Sequence, residues 1–425
     1  MTSTTSKLPV TKFKNCRILV NHKIIREDLW VRDGKIINPE KLFYSEKGHA
    51  DKEVDCGNCI ISPGYIDTQI NGGFGVDFSS DAHKVKDGLL LVARNILSHG
   101  VTSYCPTVIT STPETYKEII PEIKKQEGGP HGASVLGIHL EGPFISEEKK
   151  GAHPIDLIKT YEDNGFKEVM DTYSTLENVA IITLAPEFGN ADVVIEELTR
   201  KGVVVSLGHS EANLEEAEEA VQHGARFITH LFNAMGPFHH RDPGIVGLLT
   251  SDNIPSDQEI FYGMIADGIH TNPAALRIAH RSHPDGMVLV TDAMAAMGLP
   301  SGRHQLGSVA VDVVHRRASV AGTTTLSGSI ATMDDCVRHF KEATRCTTEQ
   351  ALEAATLHPA QMLRITDRKG TLEYDTDADF IFLDDDLSVS YTYIAGELVW
   401  DNSKDKIEVV QRSEDEEEIE YARDV

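Results

Sequence analysis

At 425 residues, with 40% hydrophobic and 25% charged side chains, the chain has an ordinary globular composition and is long enough for one large α/β barrel plus a smaller domain. Its formal charge of −26 argues against nucleic acid or an anionic membrane surface as a partner. No apolar run approaches the roughly 20 residues of a membrane span, and the start Met1 to Lys7 lacks the apolar core of a secretory signal, so the cytosol is the expected compartment.

Residues 12–62 alternate in short β runs, including Leu29 to Ile37, and read as the first part of a small β-sandwich domain. Within them Cys56 and Cys59 have CxxC spacing, but no second pair follows. Six cysteines scattered over this length read as reduced, structural thiols.

Residues 63–365 carry eight apolar strand-like runs, at 64–70, 101–108, 135–140, 179–185, 203–207, 227–231, 260–266 and 287–291. Their continuous apolar character suits strands buried on both faces. Segments of helical spacing, such as 191–199, 214–221 and 273–280, lie between them, with start signals at Thr112-Pro113 and Asn272-Pro273. Gly100, Gly202 and Gly224 stand where helices should stop. Eight β-then-α units predict an α/β fold, a (β/α)8 TIM-like barrel inserted in the β-sandwich domain formed by both chain ends. Its active site is expected at the C-terminal strand ends. Arg303 to Val320 reads as a β-hairpin excursion, and 333–343 and 348–363 as closing helices. Residues 366–410 return to a β pattern and complete the sandwich. Residues 411–425, with seven acids and two arginines, read as an acidic disordered tail.

Chemistry concentrates where the buried strands stop. His139-Leu-Glu141, Ser206-Leu-Gly-His209 and Thr229-His230 each follow a β-branched, apolar stretch, so Glu141, His209 and His230 can converge from separate strand ends. One carboxylate and two imidazoles hold a divalent ion and leave a coordination position open, where a water becomes a nucleophile. Asp292, at the end of Met287-Val-Leu-Val-Thr-Asp292, delivers a carboxylate that can move that water's proton. The pattern predicts a metal-assisted hydrolase.

The order of the motifs carries a resemblance. Pro63-Gly-Tyr-Ile-Asp67, Gln69-Ile-Asn-Gly-Gly73, His139-Leu-Glu-Gly-Pro-Phe144, Lys150-Gly-Ala-His153, Gly208-His209, Thr229-His-Leu-Phe-Asn-Ala-Met235, Asp267-Gly-Ile-His270 and Thr291-Asp-Ala293 are similar to those of the amidohydrolase superfamily, and within it of the N-acetylglucosamine-6-phosphate deacetylase family. The resemblance covers roughly residues 12–402 and implies hydrolysis of the acetamide of N-acetyl-D-glucosamine 6-phosphate in amino-sugar breakdown. It implies one divalent ion per subunit, zinc by expectation, on Glu141, His209 and His230, with Asp292 as general base and acid. His153 matches a residue on the substrate carbonyl. Ala152, Asn233, Ala234 and Leu326-Ser327-Gly328 match sugar-binding stretches. Arg241 and His270, the latter in Asp267-Gly268-Ile269-His270, match the phosphate side. A homodimer is implied, because this arginine can reach a neighbouring subunit's site in relatives.

The chain departs from the wider superfamily at Gln69 and Asn71, which stand where many members carry a His-x-His pair for a second metal. No lysine occupies Leu184 to Glu187, where a bridging ligand is common. Both departures favour a single ion. Two other readings stay open: an amidohydrolase acting on a non-phosphorylated N-acyl or cyclic amide, and a barrel that serves as a non-catalytic scaffold.

Overall fold

In the computed structural model, which describes residues 8–404 apart from Asp81, Gly307, Ser308 and Thr325, eight parallel strands form the barrel. They are β1 (Tyr65–Ile70), β2 (Val101–Ile109), β3 (Ile138–Glu141), β4 (Val179–Leu184), β5 (Val204–Leu207), β6 (Phe227–Ile228), β7 (Phe261–Ile265) and β8 (Met287–Val290). Each pairs in parallel with the next. The ring closes between the ends of β8 and β1, where Asp292 N donates to Gln69 O at 2.8 Å and Asn71 N to Ala293 O at 2.8 Å. The predicted run at 135–140 is two pieces, Ser134–Val135 and β3, parted at Gly137, whose φ of 136° needs a residue without a side chain.

Strand alternation builds the interior in layers. Ile181, Val204, Phe227 and Phe261 belong to an apolar cluster that also takes in Ile265, Val288, Val290 and Met362. Their chain neighbours Ile182, Val205, Ile228 and Tyr262 belong instead to the main core shared with the helices. Two residues further along β4, β5 and β6 the inner side turns polar. Thr183 and Thr229 hydroxyls lie 2.8 Å apart, and His139 Nε2 meets Thr183 Oγ1 at 2.7 Å. The polar centre described below comes next along the strands.

The helices α1 (Ala82–Asn95), α2 (Pro113–Ile119), α3 (Phe166–Tyr173), α4 (Ala191–Arg200), α5 (Leu214–Gln222), α6 (Pro273–Ser282) and α7 (Met333–Thr344) bury Val92, Tyr116, Val169, Leu198, Val221, Leu276 and Phe340 in that main core. The expected start signals are real caps. Thr112 accepts from Thr115 N at α2, and Asn272 from Ala274 N at α6.

The sequence 348–363, expected as one helix, is two: α8 (Thr348–Glu353) and α9 (Leu357–Leu363). The break frees two carbonyls for the barrel. Ala355 O accepts from Ile66 N at 2.8 Å and Ala354 O from Leu289 N at 2.8 Å. The expected hairpin at 303–320 is a four-stranded antiparallel meander, Gly302–Leu306, Val309–Val314, Arg317–Val320 and Leu326–Gly328. Ser329 just beyond it pairs with Ala293 next to β8.

Beside a two-stranded ribbon just past β1, Gly72–Gly73 with Val76–Asp77, both chain ends build two further sheets. A six-stranded sheet sets three C-terminal strands, including Val389–Ile394 and Phe380–Leu383, beside three N-terminal ones, including Ile60–Pro63 and Arg17–Val20, joined where Phe380–Leu383 pairs with Ile60–Pro63, and a four-stranded sheet is made from residues 10–55. The sheets meet through Phe13, whose ring stands edge-on to Phe380 at 5.1 Å, Tyr393 at 5.3 Å and Phe382 at 6.0 Å. The acidic segment expected to be disordered, 411–425, lies outside the described residues.

Candidate active site

Glu141, the last residue of β3, His209, just past β5, and His230, just past β6, meet at the C-terminal mouth of the barrel, all buried. Glu141 Oε1 lies 3.3 Å from His209 Nε2 and 3.1 Å from His230 Nε2, and the two imidazole nitrogens are 3.0 Å apart. His209 and His230 both have positive φ, 50° and 28°, so the chain turns sharply to aim each ring inward.

These separations fit a metal. Ligand atoms about 2.0–2.1 Å from a tetrahedral ion lie roughly 3.3 Å from one another. His209 Nδ1 faces the Lys149 carbonyl at 2.8 Å, and a carbonyl only accepts, so the proton is assigned to Nδ1 and Nε2 presents its lone pair to the cluster. Burial by itself would raise the Glu141 pKa. The two imidazoles facing its carboxylate outweigh that and hold it well below the usual carboxylate range. Burial likewise opposes protonation of His230, and the neighbouring Glu141 reverses the sign, leaving its pKa raised. The group stores one carboxylate and two ring nitrogens in a dry cleft, a donor set suited to a divalent cation.

His153 is the fourth polar group here, and its ring nitrogen falls within 4.8 Å of the ligand atoms of Glu141 and His209. Its tautomer decides what it can do. Thr110 Oγ1 lies 2.7 Å and Thr110 N 3.4 Å from His153 Nδ1. A backbone N–H can only donate, so Nδ1 accepts and the ring proton is assigned to Nε2. Such a nitrogen is a hydrogen-bond donor rather than a ligand. Burial, with the neighbouring His209 ring next, pushes the His153 pKa down to about 3, so the ring is neutral near pH 7. His139, in the same motif as Glu141, has Nδ1 on Thr68 O at 3.0 Å and Nε2 on Thr183, so both its nitrogens are engaged in the barrel interior.

Asp292 stands at the end of β8 with φ of 46°. Asn71 Nδ2 donates to its Oδ1 at 2.7 Å, and Gln69 Nε2 donates to the same oxygen at 3.2 Å and to Glu141 Oε1 at 2.8 Å. The two amides that depart from the superfamily's histidines thus tie the carboxylate of the cluster to the carboxylate beside it. Burial and then the Glu141 charge push the Asp292 pKa up to about 6. Below, Asp67 Oδ2 accepts from Thr291 Oγ1 at 2.6 Å and fixes the residue before Asp292.

The remaining candidates are arranged more loosely. Asp267 takes Ile269 N and His270 N at 2.8 Å each, and His270 Nδ1 at 2.6 Å, which pins the Asp267-Gly268-Ile269-His270 turn and leaves His270 Nε2 free of that pair. Ile269 takes part through its backbone. Asn233 Nδ2 folds back on His230 O at 3.3 Å, and Ala234 O accepts from Ser210 N at 3.2 Å, so this loop packs on the one carrying His209. Glu187 joins them through Ser210 Oγ at 2.6 Å and Glu211 N at 2.8 Å. Leu326, Ser327 and Gly328 form the meander strand that precedes the contact with β8. Ala152 and Arg241 are exposed, and the Arg241 guanidinium has no partner among the described residues. Sequence reasoning missed Thr110 and the Lys149 carbonyl, since a hydrogen bond to a ring nitrogen leaves no spacing signal.

The profile of the amidohydrolase family matches residues 60–399. N-acetylglucosamine-6-phosphate deacetylases from Danio rerio and Homo sapiens are 65% and 63% identical over 395 and 391 residues, covering 93% and 92% of this chain and 98% and 96% of theirs. The chain belongs to the N-acetylglucosamine-6-phosphate deacetylase family of amidohydrolases. The family's fold extends to bacterial members. The Pasteurella multocida enzyme aligns with a TM-score of 0.79 at 29% identity, covering 92% of this chain and 99% of its own. A variant of the Mycobacterium smegmatis deacetylase, solved in complex with N-acetyl-D-glucosamine-6-phosphate, aligns with a TM-score of 0.77 at 28% identity, covering 93% of this chain and all of its own. Among the described residues no helix is long and apolar enough to cross a membrane.

Proposed function

We propose that this protein hydrolyses N-acetyl-D-glucosamine 6-phosphate to D-glucosamine 6-phosphate and acetate, using the cluster at the barrel mouth. The observation that carries the reading is the meeting of Glu141, His209 and His230 within 3.3 Å of one another, with Asp292 tied to them through Gln69. Glu141, His209 and His230 would hold one divalent ion, with zinc suited to the donors. Such an ion supplies Lewis acidity, easing deprotonation of a water and polarising the acetamide carbonyl.

The residues then divide the work. Asp292 accepts a proton from the attacking water as its oxygen bonds to the carbonyl carbon. His153 Nε2–H donates to the carbonyl oxygen as negative charge gathers there, its tautomer set in advance by Thr110. As the C–N bond breaks, Asp292 returns the proton to the sugar nitrogen, and acetate and the free amine leave. Arg241 and His270 would meet the 6-phosphate, with the Arg241 fork suited to paired phosphate oxygens. Ala152, Asn233, Ala234 and Leu326 to Gly328 would line the sugar. The exposed Arg241 fits service to a neighbouring copy's site in a homodimer, and the cytoplasm is the fitting compartment.

The test is acetate release from N-acetylglucosamine with and without its 6-phosphate. Turnover that depends on the phosphate is expected. Equal turnover of both sugars would point to another amide substrate.

A further inference from the structure

At the opposite, N-terminal end of the barrel lies a cavity of about 730 Å3 that plays no part in the chemistry above. Arg226, immediately before β6, and Arg364, immediately after α9, both line it, with Thr199, Ser256, Gln258 and Gln361. The Arg226 side chain is only 12% exposed, and its guanidinium lies over the Phe261 ring at 5.3 Å. Its Nε is buried and makes no hydrogen bond, and the nearest carboxylate, Glu259, is 4.0 Å from Nη2 on a side chain 70% exposed.

A guanidinium this buried ordinarily satisfies its Nε–Nη fork with an acceptor. Here another cation acts on it: burial and then the Arg364 charge draw the Arg226 pKa down to about 10, against the smaller opposing pull of Glu259. Arg364 itself has no side-chain partner among the described residues. Two guanidiniums facing one open space, one with donors left over, are the arrangement that a tetrahedral oxyanion completes. The volume exceeds a phosphate ion severalfold and falls in the range of small-ligand sites. The amide and hydroxyls of Gln258, Gln361, Ser256 and Thr199 add neutral partners, and the buried Gln258 Oε1 and Thr199 Oγ1 also lack hydrogen bonds. Asp257, Glu259 and Asp367 line the same cavity, so the rest of the ligand must offer hydroxyl or ammonium groups rather than further negative charge.

We propose that Arg226 and Arg364 form a second, non-catalytic site for the phosphate of a small phosphate monoester, at the end of the barrel away from the metal-ligand cluster. The site does not depend on the reaction assigned to the other end.

Equilibrium dialysis of the metal-loaded protein with radiolabelled orthophosphate, and with glucose 6-phosphate as a competing monoester, tests it. The unaltered protein should hold phosphate in two classes of site. Arg364→Gln, an exposed change that spares the fold, should weaken one class by about tenfold or more while leaving acetate release unchanged, and Arg226→Gln should do the same if it folds. Glu259→Gln should tighten that class by removing a competing charge. Displacement by glucose 6-phosphate tighter than orthophosphate supports the monoester. Equal affinity for the two keeps the anion site and assigns it to free phosphate, overturning the monoester. Phosphate binding identical in the parent protein and Arg364→Gln would overturn the proposal as a whole.

Discussion

The protonation states of two histidines, each set by one neighbouring residue, separate their parts in the site. A carbonyl on His209 Nδ1 leaves Nε2 bare for a cation, whereas donors on His153 Nδ1 leave Nε2 protonated for an oxygen. Thr110→Val removes one of those donors. It should lower kcat about tenfold with metal content unchanged, within the usual cost of losing an orienting partner; a fall in bound metal would instead make His153 a ligand. Asp292→Asn should keep the ion and bind substrate while losing about 100-fold or more of kcat, the contribution typical of a positioned base. Because Asp292 must be ionised to accept the proton, activity should fall as pH drops through its pKa. Burial places that at about 6, and a cation nearby favours the ionised form, so the acid limb of kcat/KM should lie at or below about 6 and vanish in no active variant that keeps Asp292. Glu141, His209, His230 and Asp292 were legible as residues because each ends an apolar run. Two of their partners were not, because Thr110 and Lys149 O act through hydrogen bonds that only the folded chain creates; Gln69 was visible as a departure, but its bridge between Glu141 and Asp292 was not.

At the scale of elements, all eight barrel strands could be read from continuous apolar runs. The interior layering explains why the runs are continuous: one face of each strand meets the helices and the other meets the barrel's own core. The misjudged elements fail for local reasons. The 348–363 helix breaks because carbonyls 354 and 355 are needed by β8 and β1, a tertiary demand that helical spacing cannot announce. The same two strands are joined by Asp67, fully buried against Thr291, with burial pushing its pKa up to about 7. An acid whose pKa is raised on folding contributes stability that is present below its unfolded value of about 4 and is lost as pH rises through about 7. Asp67→Asn, which keeps an acceptor for Thr291, should remove that loss. Urea unfolding at pH 5 and pH 8 should show the variant gaining on the parent protein at the higher pH, by roughly 1.4 kcal/mol for each pH unit over which Asp67 stays protonated in the folded chain but is ionised in the unfolded one. An unchanged difference at the two pH values would mean Asp67 is ionised throughout.

For the whole molecule, chain ends more than 300 residues apart in sequence share one sheet, Arg17–Val20 and Ile60–Pro63 beside Phe380–Leu383, so the barrel's two termini are held together by the domain that encloses it. The repeated β pattern at both ends made this visible in the sequence; the Phe13 aromatic contact that joins the two sheets did not show. Assembly of Glu141, His209 and His230 from three strands would also couple binding of the proposed ion to the folded state. Removing the ion with a chelator should therefore lower the Tm, and adding zinc should restore it. His209→Ala should show a low Tm that neither treatment moves.

The central claim is that one cation sits between Glu141, His209 and His230, with Asp292 beside it and His153 turned to the substrate. The most direct measurement is anomalous diffraction from crystals of the zinc-loaded Asp292→Asn variant with N-acetyl-D-glucosamine 6-phosphate. It should show a single peak bonded by those three side chains and the acetamide oxygen within hydrogen-bond reach of His153 Nε2. A peak bonded to His153 in place of His230, or a second peak at Gln69 and Asn71, would contradict the account.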